Sequence, residues 1–217
     1  MTGFICLIGP PAAGKSTIAR TLTGRSGVRV FRLREFARHA RITDPRVRRL
    51  LAGTDAPGWC GDSLVAYCLR RAFVEGRPPL GVVVLEDLPG SHVQMGQVHA
   101  MAALREAPLL VVELDAPDRV LRQRAAAGPA RPAGGSRPCG GPHLPARRDA
   151  APDVPAVFDA RLARYRERIV EIRRGAALRG GPCHRVDASR GVDDCVDAVL
   201  ALCRPLLAVP GAGELVP

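Results

Sequence analysis

Residues 9–16 read Gly-Pro-Pro-Ala-Ala-Gly-Lys-Ser, and this octet constrains the fold more than any other feature of the chain. It fits G-x-x-x-x-G-K-[ST] in full, with an apolar run, Phe4–Ile8, before it and a helical pattern, Lys15–Leu22, after it. Such a loop belongs between a buried strand and a helix N-terminus. Gly9 and Gly14 let the backbone curl until successive N–H groups face inward. The helix that follows points its free N–H groups and the positive end of its dipole at the same place, where an anion fits. Pro10, Pro11, Ala12 and Ala13 form the arc of the loop. Lys15 reaches for β- and γ-phosphate oxygens, and Ser16, followed by Thr17, sets a hydroxyl where Mg²⁺ is held. The expected cofactors are ATP and Mg²⁺.

The remaining pattern alternates strands with helices. Apolar runs at Val28–Leu33, Leu80–Leu85, Leu109–Leu114 and His184–Asp187 read as four further strands. Helical patterns fall at Arg34–Arg41, from Pro45 to Gly53 with Asp44 as N-cap, and from Asp62 to Glu75. Others run from Ser91 to Glu106, over Asp118–Ala127, from Val157 to Arg174 and over Val192–Cys203. This order predicts a three-layer α/β/α sandwich around a five-stranded, mainly parallel sheet, as one domain over 1–217. Residues 31–76 form a small helical segment beside the sheet. Residues 128–155 stand apart: Gly and Pro supply 12 of 28 positions, so no core can form there, and a lid-like insertion is expected. It carries Arg131, Arg137, Arg147 and Arg148.

A second acidic group is expected beside the cation, at the end of a neighbouring buried strand. Val82–Leu85 runs into Glu86-Asp87 and supplies it, since Mg²⁺ prefers hard oxygen ligands. Pattern alone leaves open which carboxylate serves.

Charge and cysteine content exclude other classes. The net charge is +11, yet of 32 Lys and Arg residues only Lys15 is lysine. The arginines are spread along the chain without aromatic partners, which argues against a dedicated nucleic-acid surface and for coding bias. Small polyanions fit the same charge. No apolar run approaches the roughly 18 residues of a membrane span. Seven irregularly spaced cysteines give no disulfide framework, and the N-terminus has no basic leader region, so a reducing, cytoplasmic compartment is expected; the expected state is a monomer or weak dimer. Cys139 and His143 fall short of the four ligands of a structural zinc site, and Cys60 has no histidine partner in the pattern.

Beyond the phosphate loop, the chain resembles the adenylate kinase and nucleoside monophosphate kinase family as a divergent member. Glu86-Asp87-Leu88-Pro89-Gly90-Ser91-His92-Val93-Gln94 resembles the family's Asp-Gly-Phe-Pro-Arg-Thr-x-x-Gln stretch, with Glu86 on the family's Asp. Phe31–Arg38 resembles its acceptor segment, with Glu35 on the Asp position and Arg38 on the phosphate-binding Arg. Asp62-Ser63-Leu64-Val65 resembles the opening of the next helix. Leu114–Arg124 resembles the lead into the lid, with Arg124 on the arginine that packs on the donor base. Asp153–Tyr165 resembles the helix after the lid, with Arg161 on a phosphate-binding Arg. Three departures stand out. Gly90 replaces the Arg after Pro, Arg34 replaces a Gly, and Ala150 stands at an expected lid Arg.

The resemblance implies an ATP-dependent phosphotransferase. Lys15, Arg38, Glu86, Asp87 and Arg161 would carry transfer, and Arg34, Glu35, Arg38, Leu88 and Gln94 would meet the acceptor. The acceptor it implies is a nucleoside monophosphate or similar nucleotide. Two alternatives stay open: transfer to a hydroxyl of a nucleoside, sugar or small metabolite, for which Glu35, Glu86 or Asp87 would take the proton, and nucleotide-dependent regulation without transfer.

Overall fold

Five parallel strands form the centre of the computed structural model, which describes residues 2–24, 28–52, 60–76, 81–128, 155–181 and 183–207. They are β1 (Thr2–Ile8), β2 (Val28–Arg32), β3 (Gly81–Glu86), β4 (Leu109–Asp115) and β5 (Cys183–Asp187). Their order across the sheet is β2-β3-β1-β4-β5, and every pairing is parallel. Parallel neighbours cannot be joined by a hairpin, so helices make each crossover. After β1 comes α1 (Lys15–Thr23). Between β2 and β3 lie α2 (Leu33–Thr43), α3 (Pro45–Ala52) and α4 (Asp62–Leu69). Helix α5 (His92–Leu104) joins β3 to β4, α6 (Asp118–Ala127) and α7 (Pro155–Ala177) precede β5, and α8 (Val192–Leu207) follows it. The expected α/β class and five-stranded sheet are what the chain forms. Among the described residues no helix is long and apolar enough to cross a membrane.

The strands are apolar on both faces because both faces are covered. Phe4, Cys6, Ile8, Val83, Leu85 and Val111 face α2, α4, α5 and the C-terminal half of α7. Ile5, Leu7, Val82, Val84, Val112 and Leu114 face α1, α6 and α8. The helix after β1 therefore packs on one face and the helix after β3 on the other. Their loops leave neighbouring strand ends in opposite directions and open a crevice at the C-terminal edge of the sheet, where ligands of open α/β folds bind.

Local differences from the sequence reading have physical causes. Leu33, expected at the end of β2, starts α2 instead and is buried against the sheet. Asp62, expected to cap α4, is its first residue, with Gly61 at the cap; its carboxylate instead accepts from Ser91 and Gln94. The helix expected to run to Glu75 changes at Arg70 into a π-helical turn, Arg70–Glu75. That turn carries Phe73 into a ring cluster with Phe4 and Phe31, at centroid distances of 5.2 and 4.9 Å. Phe36 adds to it from α2, 5.4 Å from Phe31. Aromatic residues are scarce in this chain, and four of the five phenylalanines fasten α2 to the sheet. Asp44 caps α3 as expected, accepting from the N–H groups of Arg46 and Val47 at 2.9 and 3.3 Å. Residues 129–154, and with them Cys139, His143, Ala150 and the four arginines of the expected lid, lie outside the described residues.

Among the described residues one charged side chain, that of Glu113, is wholly inside. Glu113 of β4 is fully buried and accepts both Arg173 Nε and Nη2 at 2.8 Å, with the Tyr165 hydroxyl at 3.0 Å. Burial, and then the Glu113 charge, push the Tyr165 phenol far above its ordinary range, so it stays a donor. Arg173→Ala leaves Glu113 buried with Tyr165 as its remaining strong donor. It is expected to lower the free energy of unfolding by about 3 kcal/mol in urea titration. A loss under about 0.5 kcal/mol, the size of an ordinary surface substitution, would show that α7 does not depend on this pair.

Candidate functional site

The loop between β1 and α1 opens into the crevice. A Cβ on Gly9 would stand 2.5 Å from the Leu114 carbonyl oxygen, so only glycine lets the loop leave the sheet beside β4. Ala12 and Gly14 take left-handed backbone, with φ of 62° and 88°. Left-handed backbone costs an L-residue such as Ala12 about 1–2 kcal/mol, and here it turns the chain back onto the helix. The N–H groups of Thr17 and Ile18 both reach the Gly14 carbonyl at 3.0 Å. The N–H groups of Lys15 and Ser16 belong to the first turn of α1, whose donors have no acceptor within the helix. Lys15 Nζ folds across the loop mouth, donating to the Gly9 and Pro10 carbonyls at 2.8 Å each.

Two adjacent carboxylates divide the opposite wall. Glu86 ends β3, paired in register with Leu7 of β1 and Arg32 of β2. It is 6% exposed; Ser16 Oγ donates to its Oε1, and Arg32 Nε donates to its Oε2 at 2.6 Å. Asp87 turns outward at φ 62°, is 68% exposed and pairs with Lys15 Nζ at 3.3 Å. Glu86 therefore stands with the P-loop hydroxyl and Asp87 with the P-loop lysine. Among the described residues no three His, Cys, Asp or Glu side chains gather as a metal cluster. A hydroxyl and one carboxylate are hard oxygen donors of the kind Mg²⁺ takes when phosphates and water complete its shell, so these residues fit that ion.

The acceptor side is α2 with the turn after β3. Glu35 is 44% exposed, with Arg32 Nη1 3.9 Å from its carboxylate. Arg34 and Arg38 are exposed one helical turn apart. Arg34 lies against Cys60; burial pushes that thiol up, and the guanidinium works against the rise. Two of the residues expected to meet the acceptor face inward. Leu88 is buried in the core and forms the floor of the turn. Gln94, 2% exposed, accepts the Gly90 N–H at 2.7 Å and donates to the Cys60 carbonyl at 3.0 Å and Asp62 at 2.9 Å. Its amide is thus occupied in tying three segments together.

The other expected arginines separate. Arg124, half-buried at the end of α6, stands by the turn after β5. There the Ser189 hydroxyl and N–H hold the Asp187 carboxyl below its ordinary range, aided by the charges of Arg190 and Arg124. Arg161 is exposed on α7. Five residues on, Arg166 is fixed at the strand ends, bonded to Asp115 at 2.6 Å and to Asp118 at 2.8 Å. Sequence reasoning did not find Arg32, because alternation with apolar residues reads as a solvated strand face. The available signal was its place at the last position of a strand that must end beside the phosphate loop.

A family model described as an AAA domain matches residues 4–133, from β1 to beyond the end of α6. No curated protein matches the chain.

Gln94→Ala would leave the Gly90 N–H and the Cys60 carbonyl without this partner. It is expected to lower stability by about 2 kcal/mol, read as a fall in the denaturation midpoint. An unchanged midpoint would show that the turn does not depend on this brace.

Proposed function

We propose, starting from the fact that the chain belongs to this AAA-domain family of P-loop nucleotide-binding domains, that it transfers the γ-phosphoryl of Mg-ATP to a small-molecule acceptor. The observation that carries the reading is the meeting of two pairs in one crevice, Ser16 with Glu86 and Lys15 with Asp87, beside the α2 residues Arg34, Glu35 and Arg38. A bare nucleotide-binding module needs the loop and its lysine. It has no use for a carboxylate and two arginines on the adjoining helix.

Phosphoryl transfer depends on position and charge neutralisation more than on covalent catalysis. The first-turn N–H groups of Lys15 and Ser16 and the Lys15 ammonium would hold the β- and γ-phosphates. Ser16 Oγ and, through water, Glu86 would hold Mg²⁺, which when bound neutralises charge between those phosphates. Arg124, by the turn after β5, would pack on the donor base, and Arg34 and Arg38 would meet anionic groups of the acceptor. Arg161 belongs to the lid side of the same reading.

For the acceptor, the site supports a hydroxyl over a nucleoside monophosphate. The nucleotide reading relies on Gln94 to read a base and on an arginine after Pro89. The Gln94 amide is occupied, and residue 90 is glycine. Glu35 offers a half-exposed carboxylate on the acceptor side to take a hydroxyl proton.

Purified protein with Mg-ATP and a panel of nucleoside monophosphates, nucleosides and sugars decides this by acceptor-dependent ADP formation. Turnover with nucleoside monophosphates alone would restore the nucleotide reading, and ATP binding without turnover would favour regulation. Lys15→Ala is expected to lower transfer at least about 100-fold with an unchanged far-UV circular dichroism spectrum; near-full kcat would overturn the site. Glu35→Gln is expected to lower kcat about 100-fold with a hydroxyl acceptor, and an unchanged kcat would remove it as the base.

A further inference from the structure

Glu86 is a buried carboxylate placed where a polyphosphate must bind. Its Oε1 accepts from Ser16, whose own N–H is one of the first-turn donors of the phosphate cradle. Phosphate oxygens in that cradle therefore come close to a carboxylate with little water around it, and like charges repel strongly at such a site. The nearby Lys15 ammonium is shared among two carbonyls and Asp87. Among the described residues, the cation bonded directly to Glu86 is Arg32, held by the β2–β3 register and donating from Nε at 2.6 Å. On its other side Nη1 faces Glu35 at 3.9 Å.

We infer that Arg32 is a positioning and charge-compensating residue of the donor site: it fixes Oε1 of Glu86 toward Ser16 and cancels the Glu86 charge, so that the cradle accepts nucleotide phosphates before a cation arrives. The inference rests on the nucleotide-binding part of the proposed function and not on the acceptor. Mg²⁺ and Arg32 then do overlapping electrostatic work at one carboxylate. Nucleotide affinity should depend only weakly on the cation while Arg32 is present, and steeply once it is gone.

Calorimetric titration of ATP into the full chain, in EDTA and in excess Mg²⁺, tests this. In EDTA, Arg32→Ala is expected to weaken ATP binding about tenfold or more, with a much smaller loss in Mg²⁺. Arg32→Lys keeps the charge and is expected to stay within about threefold of wild type in EDTA. In a Glu86→Gln background Arg32→Ala should cause no further loss, because the charge to be compensated is gone. Equal affinity of wild type and Arg32→Ala in EDTA overturns the inference. So does a loss that persists undiminished beside Glu86→Gln, which would mark Arg32 as merely structural. Should Arg32→Ala fail to fold, Arg32→Gln alone and with Glu86→Gln, an uncharged pair of similar size, makes the same comparison. Wild type that binds ATP but phosphorylates nothing in the panel overturns transfer and leaves this inference standing. Wild type that binds no ATP overturns both.

Discussion

The parallel pairing of β1 with β3 sets Leu7 opposite Glu86, and through that register a carboxylate lands beside the hydroxyl of Ser16. The two residues are far apart in the chain and belong to different crossovers. Neither loop could hold the other at hydrogen-bond distance. The sheet can, because each strand is clamped from both faces by close-packed apolar side chains. The same register sets Arg32 of β2 opposite Glu86 from the other side. One row across three strands thus positions cradle, carboxylate and guanidinium, and the rest of the site is arranged around it.

Charge in this protein is organised by pairing. Arg166 and Arg173 from α7 hold Asp115 and Glu113 on β4, Arg185 joins Asp115 from β5, and Arg32 holds Glu86. These arginines engage acids that the strands bring to the sheet's C-terminal edge, or in the case of Glu113 bury completely. Lysine occurs once, where a compact ammonium reaches two carbonyls and a carboxylate across a narrow loop. A planar guanidinium with fixed donor directions suits a carboxylate edge and not that mouth.

The turn after β3 is braced from within. Gln94 faces inward and braces Gly90, Cys60 and Asp62. Ser91 caps α5 through the Gln94 N–H and also donates to Asp62. The brace joins α4, α5 and the end of β3, so it holds the segment that faces α2. Arg34 and Arg38 stand on the exposed side of that helix, while its buried side carries Leu33 and Ala37.

The phosphate loop, the α/β class, the five strands and most helix limits were legible in the sequence. Each depends on contacts between near neighbours: glycine at tight turns, apolar runs in buried strands, polar caps at helix starts. The pairing of residue 86 rather than 87 with Ser16 was not legible, because it depends on which way the chain turns at φ 62° after the strand ends. Nor were Arg32, the buried Glu113 pair or the inward Gln94. Each joins residues more than thirty positions apart, and only strand order, register and helix packing decide which of many arginines and acids meet.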